Sequence, residues 1–242
     1  TVARVIEGRR DGHAPSGIAG VANPGSERDW CGSDFNQANW YAFGRLAWDP
    51  QQSARAIADD WVRMTFSNDP GFVGPVVDMM MASREAAVDY MTPLGLAHQM
   101  ATGHHYGPGP WICDLKRPEW NPCYYSKADT RGIGFERTAS GSNALAQYAP
   151  SVAAQWADPK AIDEDYLLWF HHLPWDFRTK SGRPLWDELV GRYDRGVATV
   201  DEMAATWNSL SGITSELARR TSTVVGWPVA TVTEVVFGSR PG

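Results

Sequence analysis

The chain has 242 residues, of which 43% are hydrophobic, and this is enough to build a substantial core. Its formal net charge of −6 leaves no excess of basic residues for neutralising phosphates, and no lysine or arginine cluster forms a nucleic-acid-binding stripe. We therefore expect no nucleic-acid partner. No apolar run approaches the length of a membrane span, so we expect no membrane among the partners either.

The first thirty residues are rich in glycine and contain two short segments with strand-like patterns. These segments are residues 2–6 and 18–22, and the turn-forming Asn23-Pro24-Gly25 follows the second. The chain opens on Thr1 rather than on a methionine, with its first predicted strand already under way. We therefore expect it to be a piece of a longer protein.

Three helices are predicted next. Ser33 is a suitable N-cap for the first, and Ser53 is a suitable N-cap for the second, which ends before Pro70. Pro75 fits the first turn of the third helix, because a proline there costs no helical hydrogen bond, and Pro93 ends that helix.

Further helices are predicted towards the C-terminus. Asp163 is a suitable N-cap for residues 164–172, and Pro184 opens a helix that Gly196 is expected to end. Thr199 followed by Glu202 has the spacing of a capping box, which predicts the start of another helix.

Taken together, these elements predict a mainly α fold, a helical domain with long ordered loops and a few short strands. Residues 94–144 lack helical periodicity, and their aromatic content argues against disorder. Residues 224–237 are rich in β-branched side chains, which favours a strand or an irregular end over a helix.

Histidine and cysteine do not form a recognisable metal-binding or disulfide pattern. Adjacent histidines at 104–105 and 171–172 point in different directions on any regular element, so we expect no metal site. Three cysteines, Cys31, Cys113 and Cys123, are an odd number at unpatterned spacing, which argues against a disulfide framework. This favours a reducing, cytoplasmic compartment, although the localisation of the longer protein stays open.

Glycoside hydrolysis requires a pair of carboxyl groups, and four acidic residues lie in the irregular region: Asp114, Glu119, Asp129 and Glu136. Their spacing does not show that any two face each other across a substrate, so catalysis is assigned to none of them. No nucleophile elbow, phosphate-binding loop or dinucleotide fingerprint occurs, and we expect no cofactor.

The strongest candidate for a functional surface is the segment from His104 to Arg137, called here the aromatic loop. Its prolines stiffen the backbone, so that its aromatic rings lose little entropy on binding. Rigid aromatic rings suit the recognition of sugars, because they stack on the C–H face of a pyranose. Packing of the same rings onto the helices explains the composition equally well.

The residues of this loop and several flanking segments resemble glycoside hydrolase family 67. This family comprises α-glucuronidases that remove (4-O-methyl-)glucuronic acid side chains from xylo-oligosaccharides with inversion. The matching segments are residues 17–23, 37–48, 105–108, 128–129, 132–135 and 170–172.

The resemblance implies a place within a longer enzyme. Residues 1–30 would be the end of a catalytic (β/α)8 barrel, and residues 31–242 would be the C-terminal, mainly helical domain, with the role of 219–242 left open. The catalytic acids of the family would lie before Thr1, so the resemblance implies that this chain alone is inactive.

The resemblance also implies partners and binding residues. The expected partners are a glucuronic-acid-bearing xylo-oligosaccharide, the barrel of the same chain, and a second copy in a homodimer. Trp111 is the best match for a pocket tryptophan of the family, and Trp120 is the second. The predicted substrate-binding residues are Trp111, Trp120, His105, Tyr106, Asp129 and Arg137. The alternatives are a free-standing carbohydrate-binding module and a structural dimerisation domain.

Overall fold

A computed structural model describes residues 3–4, 7–9, 19–21, 34–96, 109 and 111–210. The chain divides into two compact units. Among the described residues, unit 1 holds those up to Arg84 and those from Val200 to Leu210, and unit 2 holds Glu85–Thr199.

The described residues are mainly helical, as predicted. The α-helices are α1 Asp34–Trp48, α2 Ala54–Thr65, α3 Pro70–Met91, α4 Pro122–Ser126, α5 Pro150–Trp156, α6 Leu167–Phe170 and α7 Leu185–Leu210. Single 3-10 turns occupy Pro93–Gly95, Pro118–Trp120, Ala144–Gln147 and Glu164–Tyr166. Two short strands, β1 Gly132–Ile133 and β2 Leu173–Pro174, pair antiparallel with Ile133 opposite Leu173. None of the described helices has the length and apolarity needed to cross a membrane.

Aromatic side chains fill the core of unit 1. Trp61 and Trp207 are each only 2% exposed, and the rings of Phe35 and Phe66 contact both of them at centroid distances of 5.4 to 5.7 Å. Burial of such large rings contributes several kcal/mol, on the order of 2 to 3 per side chain. These two tryptophans therefore serve the core and are not available to a ligand.

Side-chain caps set the starts of α2 and α3. The Ser53 hydroxyl accepts a hydrogen bond from Ala56 N at 3.2 Å, as predicted. The third helix begins earlier than predicted, because the Asp69 carboxylate accepts from Gly71 N at 2.9 Å and Pro70 occupies the first helical position. Pro75 consequently lies inside α3 rather than at its start.

The prediction of two helices after Pro184 is wrong, because α7 runs unbroken from Leu185 to Leu210. A Cβ atom on Gly196 would lie 2.7 Å from the backbone N of Tyr90, so this glycine permits the close approach of a neighbouring segment rather than ending a helix. The Thr199 hydroxyl donates to the carbonyl of Arg195 at 2.8 Å, which is a mid-helix bond and not a cap.

The segment after Asp163 is shorter than predicted. Asp163 accepts from Asp165 N at 3.2 Å, which confirms the cap, but α6 ends at Phe170 and His171 is extended. The carbonyls of Leu168 and Phe170 accept hydrogen bonds from the 133–137 segment, so the chain leaves the helix and enters β2.

The N-terminal strand predictions are wrong where they can be compared. Ala3 and Arg4 are helical, and Glu7 N donates to Ala3 O at 3.0 Å. The three- and four-residue spacing of apolar side chains in residues 2–6 fits one face of a helical turn, which explains the error. Residues 19–21 form no strand. The predicted cap at Ser33 and the predicted strand at 224–237 lie outside the described residues.

The core of unit 2 is aliphatic and holds the β1–β2 pair against α6 and α7. Its fully buried members include Ile133 on β1, Leu168 on α6, and Leu185 and Leu189 on α7. Because β1 is anchored in this core, the residues just before and after it have fixed positions at the surface. The candidate site is built from these flanking residues.

Candidate functional site

A disulfide organises the first part of the aromatic loop. Cys113 and Cys123 are bonded, with their Cα atoms 5.7 Å apart. The expectation from cysteine number and spacing was therefore wrong, because the chain turns back around the 3-10 turn Pro118–Trp120 and Cys123 N donates to Ile112 O at 3.3 Å. The argument for a reducing compartment no longer holds. Trp120 lies within this cross-linked segment and is 53% exposed, and Trp111 lies just before it and is 56% exposed.

Asn121 holds the same segment from inside. Its side chain is buried, accepts from Leu115 N at 2.9 Å, and donates to the carbonyls of Leu115, Arg117 and Pro118 at 3.1 to 3.3 Å. The Arg117 guanidinium lies 5.0 Å from the ring centre of Trp120. Sequence analysis did not identify Asn121, although an asparagine before a proline in a turn-rich segment is a usable signal for this role.

We predict that removing the disulfide lowers the free energy of unfolding by about 2 to 3 kcal/mol, because the closed loop is short and constrains the unfolded chain only moderately. The Cys113→Ser/Cys123→Ser double variant should show this loss in urea denaturation. Reduction of the unaltered chain with dithiothreitol serves as the control and should produce the same shift, with no further effect on the variant. An unfolding midpoint that reduction does not move would contradict the prediction.

A surface cavity of about 600 Å³ lies beside the disulfide in unit 2. It brings Asp129, a predicted binding residue, to the same cavity as Glu136 and His172, which flank the two strands. The lining residues are Cys113, Cys123, Lys127, Ala128, Asp129, Arg131, Gly134, Phe135, Glu136, Ser142 and His172.

Asp129 is a fixed anion that shapes the turn before β1. Its Oδ1 accepts from Arg131 N at 2.7 Å and from Gly132 N at 3.0 Å. The backbone hydrogen bond from Arg131 is the main cause that lowers the pKa of Asp129. Its Oδ2 lies 3.2 Å from the Arg131 guanidinium and 3.9 Å from Nε2 of His172.

Glu136 is the second carboxylate in the cavity and is also ionised. Burial acts to raise the pKa of Glu136, but hydrogen bonds from the hydroxyl and N–H of Thr138, with smaller contributions from His171 and His172, lower it overall. Thr138 N donates to Glu136 Oε1 at 2.9 Å. A general acid in glycoside hydrolysis needs a raised pKa, so neither cavity carboxylate is suited to donate a proton.

Arg137 lies away from this cavity and is 9% exposed. Its guanidinium lies over the rings of Phe135 and Trp169, at 4.0 and 3.9 Å from their centres, and it donates to Trp169 O. Burial lowers the pKa of Arg137. Within the part of the chain that the structure describes, no carboxylate pairs with it, so the aromatic rings are its main partners.

The other predicted site residues, His105 and Tyr106, lie outside the described residues. Among the residues that are described, no group of three or more histidine, cysteine, aspartate or glutamate side chains is arranged to hold a metal ion. The candidate site therefore consists of two exposed tryptophans, Trp120 on the cross-linked loop and Trp111 just before it, and an adjacent cavity with two ionised carboxylates.

Comparison with known proteins identifies the family. An alpha-glucuronidase of Hypocrea jecorina is 36% identical over 210 residues, which cover 85% of this chain and 24% of that protein. Alpha-glucuronidase A of Emericella nidulans is 34% identical over 215 residues, covering 87% of this chain and 25% of that protein. The chain thus spans about a quarter of the length of these relatives. The family model for the glycosyl hydrolase family 67 C-terminus matches residues 31–224, and the chain belongs to this family.

Proposed function

We propose that the chain is the C-terminal portion of a xylan α-1,2-glucuronidase that hydrolyses (4-O-methyl-)glucuronic acid side chains of xylo-oligosaccharides with inversion. In this proposal residues 1–30 end the catalytic barrel and residues 31–242 form the C-terminal domain. The family match and the names of the relatives support it. The domain supplies a pocket wall and a homodimer surface, and the catalytic acids lie upstream.

The observation that carries the proposal is the rigid presentation of Trp111 and Trp120. About half of each residue is exposed. Trp120 lies in a loop closed by a disulfide and by the hydrogen bonds of Asn121, and Trp111 lies just before that loop. Leaving such rings in water is unfavourable, and a pre-ordered apolar surface of this kind binds a sugar face without a large entropic cost. The two ionised carboxylates beside it supply no proton donor, which agrees with binding rather than cleavage.

The proposal divides the predicted binding residues into two groups. Trp111 and Trp120 contact the sugar, whereas Asp129 and Arg137 act indirectly, since one holds a turn and the other is buried between rings. His105 and Tyr106 remain predicted contacts next to Trp111 in the sequence.

We predict that Trp111→Ala in the full-length enzyme raises KM for an aldouronic acid about tenfold and leaves kcat within about twofold, because loss of a stacking ring removes uniform binding. Steady-state kinetics would measure this. Met64→Ala, which removes an exposed apolar side chain on α2, is the control and should change neither constant.

Other outcomes would favour different functions. Unchanged constants in Trp111→Ala would contradict the pocket-wall role and favour a structural dimerisation domain. Release of glucuronic acid by the isolated 242-residue chain at the rate of the full-length enzyme would overturn the inference that the catalytic acids lie upstream.

A further inference from the structure

Unit 2 contains a second cavity, called here the aromatic groove, which shares no lining residue with the cavity beside the disulfide. It has a volume of about 290 Å³. Aromatic residues and one acidic residue make up most of its lining, which consists of Gly95, Tyr148, Trp156, Asp165, Tyr166, Trp169 and Phe170. Nothing in the family assignment or in the proposed function uses this groove.

The rings of the groove form a supported platform. Trp156 lies at its centre, stacked at 29° on Tyr166 with centroids 5.5 Å apart, and Tyr148 meets it edge-on at 5.1 Å. Phe170 packs on Trp156 at 5.0 Å and is itself 2% exposed. The two tyrosines remain open to solvent, with 38% of Tyr148 and 47% of Tyr166 exposed. A solvent-facing edge is thus backed by buried rings.

Backbone contacts fix the carboxylate side of the groove. Gly95 has a φ of +82°, and a Cβ atom there would lie 2.9 Å from the carbonyl oxygen of Asp165 and 2.9 Å from the carbonyl carbon of Tyr166. Glycine is required for this approach, which pins the turn that presents Asp165 and Tyr166. Asp165 N is in addition held by the Asp163 cap at 3.2 Å.

The charge of the groove restricts the charge of the ligand that it can bind. Asp165 is the acidic residue among the residues that line the groove, and none of these residues is a lysine, arginine or histidine. Among the described residues, the Asp165 carboxylate has no ion-pair partner. An anionic ligand would meet an uncompensated negative charge, whereas the hydroxyl groups of a neutral ligand can donate to this carboxylate.

We propose that the aromatic groove binds one neutral pyranose ring, a xylose unit of the xylan main chain. The rings offer a face for C–H stacking, the tyrosine hydroxyls donate and accept hydrogen bonds, and Asp165 accepts from sugar hydroxyls. The volume lies at the lower end of small-molecule pockets, roughly 300 Å³, which suits a single ring. The choice of xylose among neutral pyranoses rests on the proposed function.

The test is a titration of the 242-residue chain with xylotriose, in which binding is measured by the change in tryptophan fluorescence. We expect saturable binding with a Kd on the order of 1 mM, since one stacked ring gives modest affinity. Tyr166→Ala should weaken binding about tenfold, and Tyr166→Phe, which keeps the ring, should weaken it by less than about threefold. Trp48→Ala is the control, an exposed tryptophan in unit 1 outside both the groove and the aromatic loop, and should leave the Kd unchanged.

The variants separate this inference from the proposed function. Loss of xylotriose binding in Trp120→Ala but not in Tyr166→Ala would place the sugar on the aromatic loop, overturning the groove while leaving the proposed function intact. Free glucuronic acid binding as tightly as xylotriose would also overturn the assignment to a neutral ring. Groove binding together with unchanged kinetics in full-length Trp111→Ala would support the groove and contradict the pocket wall. Circular dichroism of Tyr166→Ala, compared with Tyr166→Phe, confirms that lost binding does not reflect unfolding.

Discussion

Replacing Gly134 with alanine is expected to lower the free energy of unfolding by about 4 kcal/mol or more. Gly134 has a φ of +106°, and a Cβ atom built on it would lie 2.1 Å from the carbonyl oxygen of His171. The nearest atom, the His171 carbonyl oxygen, belongs to the backbone, so no side-chain rotation relieves this clash. Gly134 N also donates to Ser126 O at 2.8 Å, a second backbone contact that restrains the residue.

The Gly134→Ala substitution should also disturb the candidate site, because Gly134 lies directly after β1 and lines the cavity beside the disulfide. Urea denaturation followed by fluorescence measures the loss. Gly44→Ala is the matched control, since nothing lies within 4 Å of a Cβ at that position in the middle of α1. It should be neutral or stabilising by up to about 1 kcal/mol. A Gly134→Ala variant within about 1 kcal/mol of the unaltered chain would show that β1 and the His171 segment separate easily.

Local sequence signals predicted where helices start. They failed at positions whose role is set by contacts with residues far away in the sequence. Ser53 and Asp163 were found as caps because the capping side chain and the N–H that it binds are two or three residues apart. Gly196 was misinterpreted as a helix stop. Its role depends on Tyr90, over one hundred residues earlier in the chain, and no local pattern contains that contact.

The features of the candidate site also separate into those that local sequence signals predict and those that depend on distant contacts. The exposed tryptophans could be selected from the sequence, because prolines and glycines around aromatic residues indicate an ordered loop. The Cys113–Cys123 bond could not, since spacing does not reveal that the chain turns back around Pro118–Trp120. The burial of Arg137 was equally hidden, because its partner Trp169 is separated from it by 32 positions. A charged residue in a candidate loop is ordinarily expected to face solvent.

The buried guanidinium of Arg137 leads to the second large expected effect. Arg137→Ala should lower the free energy of unfolding by about 3 to 4 kcal/mol, because it empties the space between Phe135 and Trp169. Arg137→Met should cost only about 1 kcal/mol, since an apolar chain fills much of that space and removes a buried charge that lacks a described carboxylate partner. Arg137→Lys should resemble Arg137→Ala more closely, because an ammonium cannot stack as a planar guanidinium does.

The methionine variant also separates a structural role from sugar recognition. If Arg137 acts only through its packing, full-length Arg137→Met should retain KM for an aldouronic acid within about twofold. Direct recognition of the uronate by the guanidinium requires a different result, a rise in KM of about a hundredfold at near-normal stability, since a charge-assisted pair to a carboxylate would be lost. Because the buried guanidinium already packs on two aromatic rings and its Nη1 already donates to Trp169 O, we expect the first result. Parallel measurement of KM and the urea midpoint on the same preparation distinguishes the two roles.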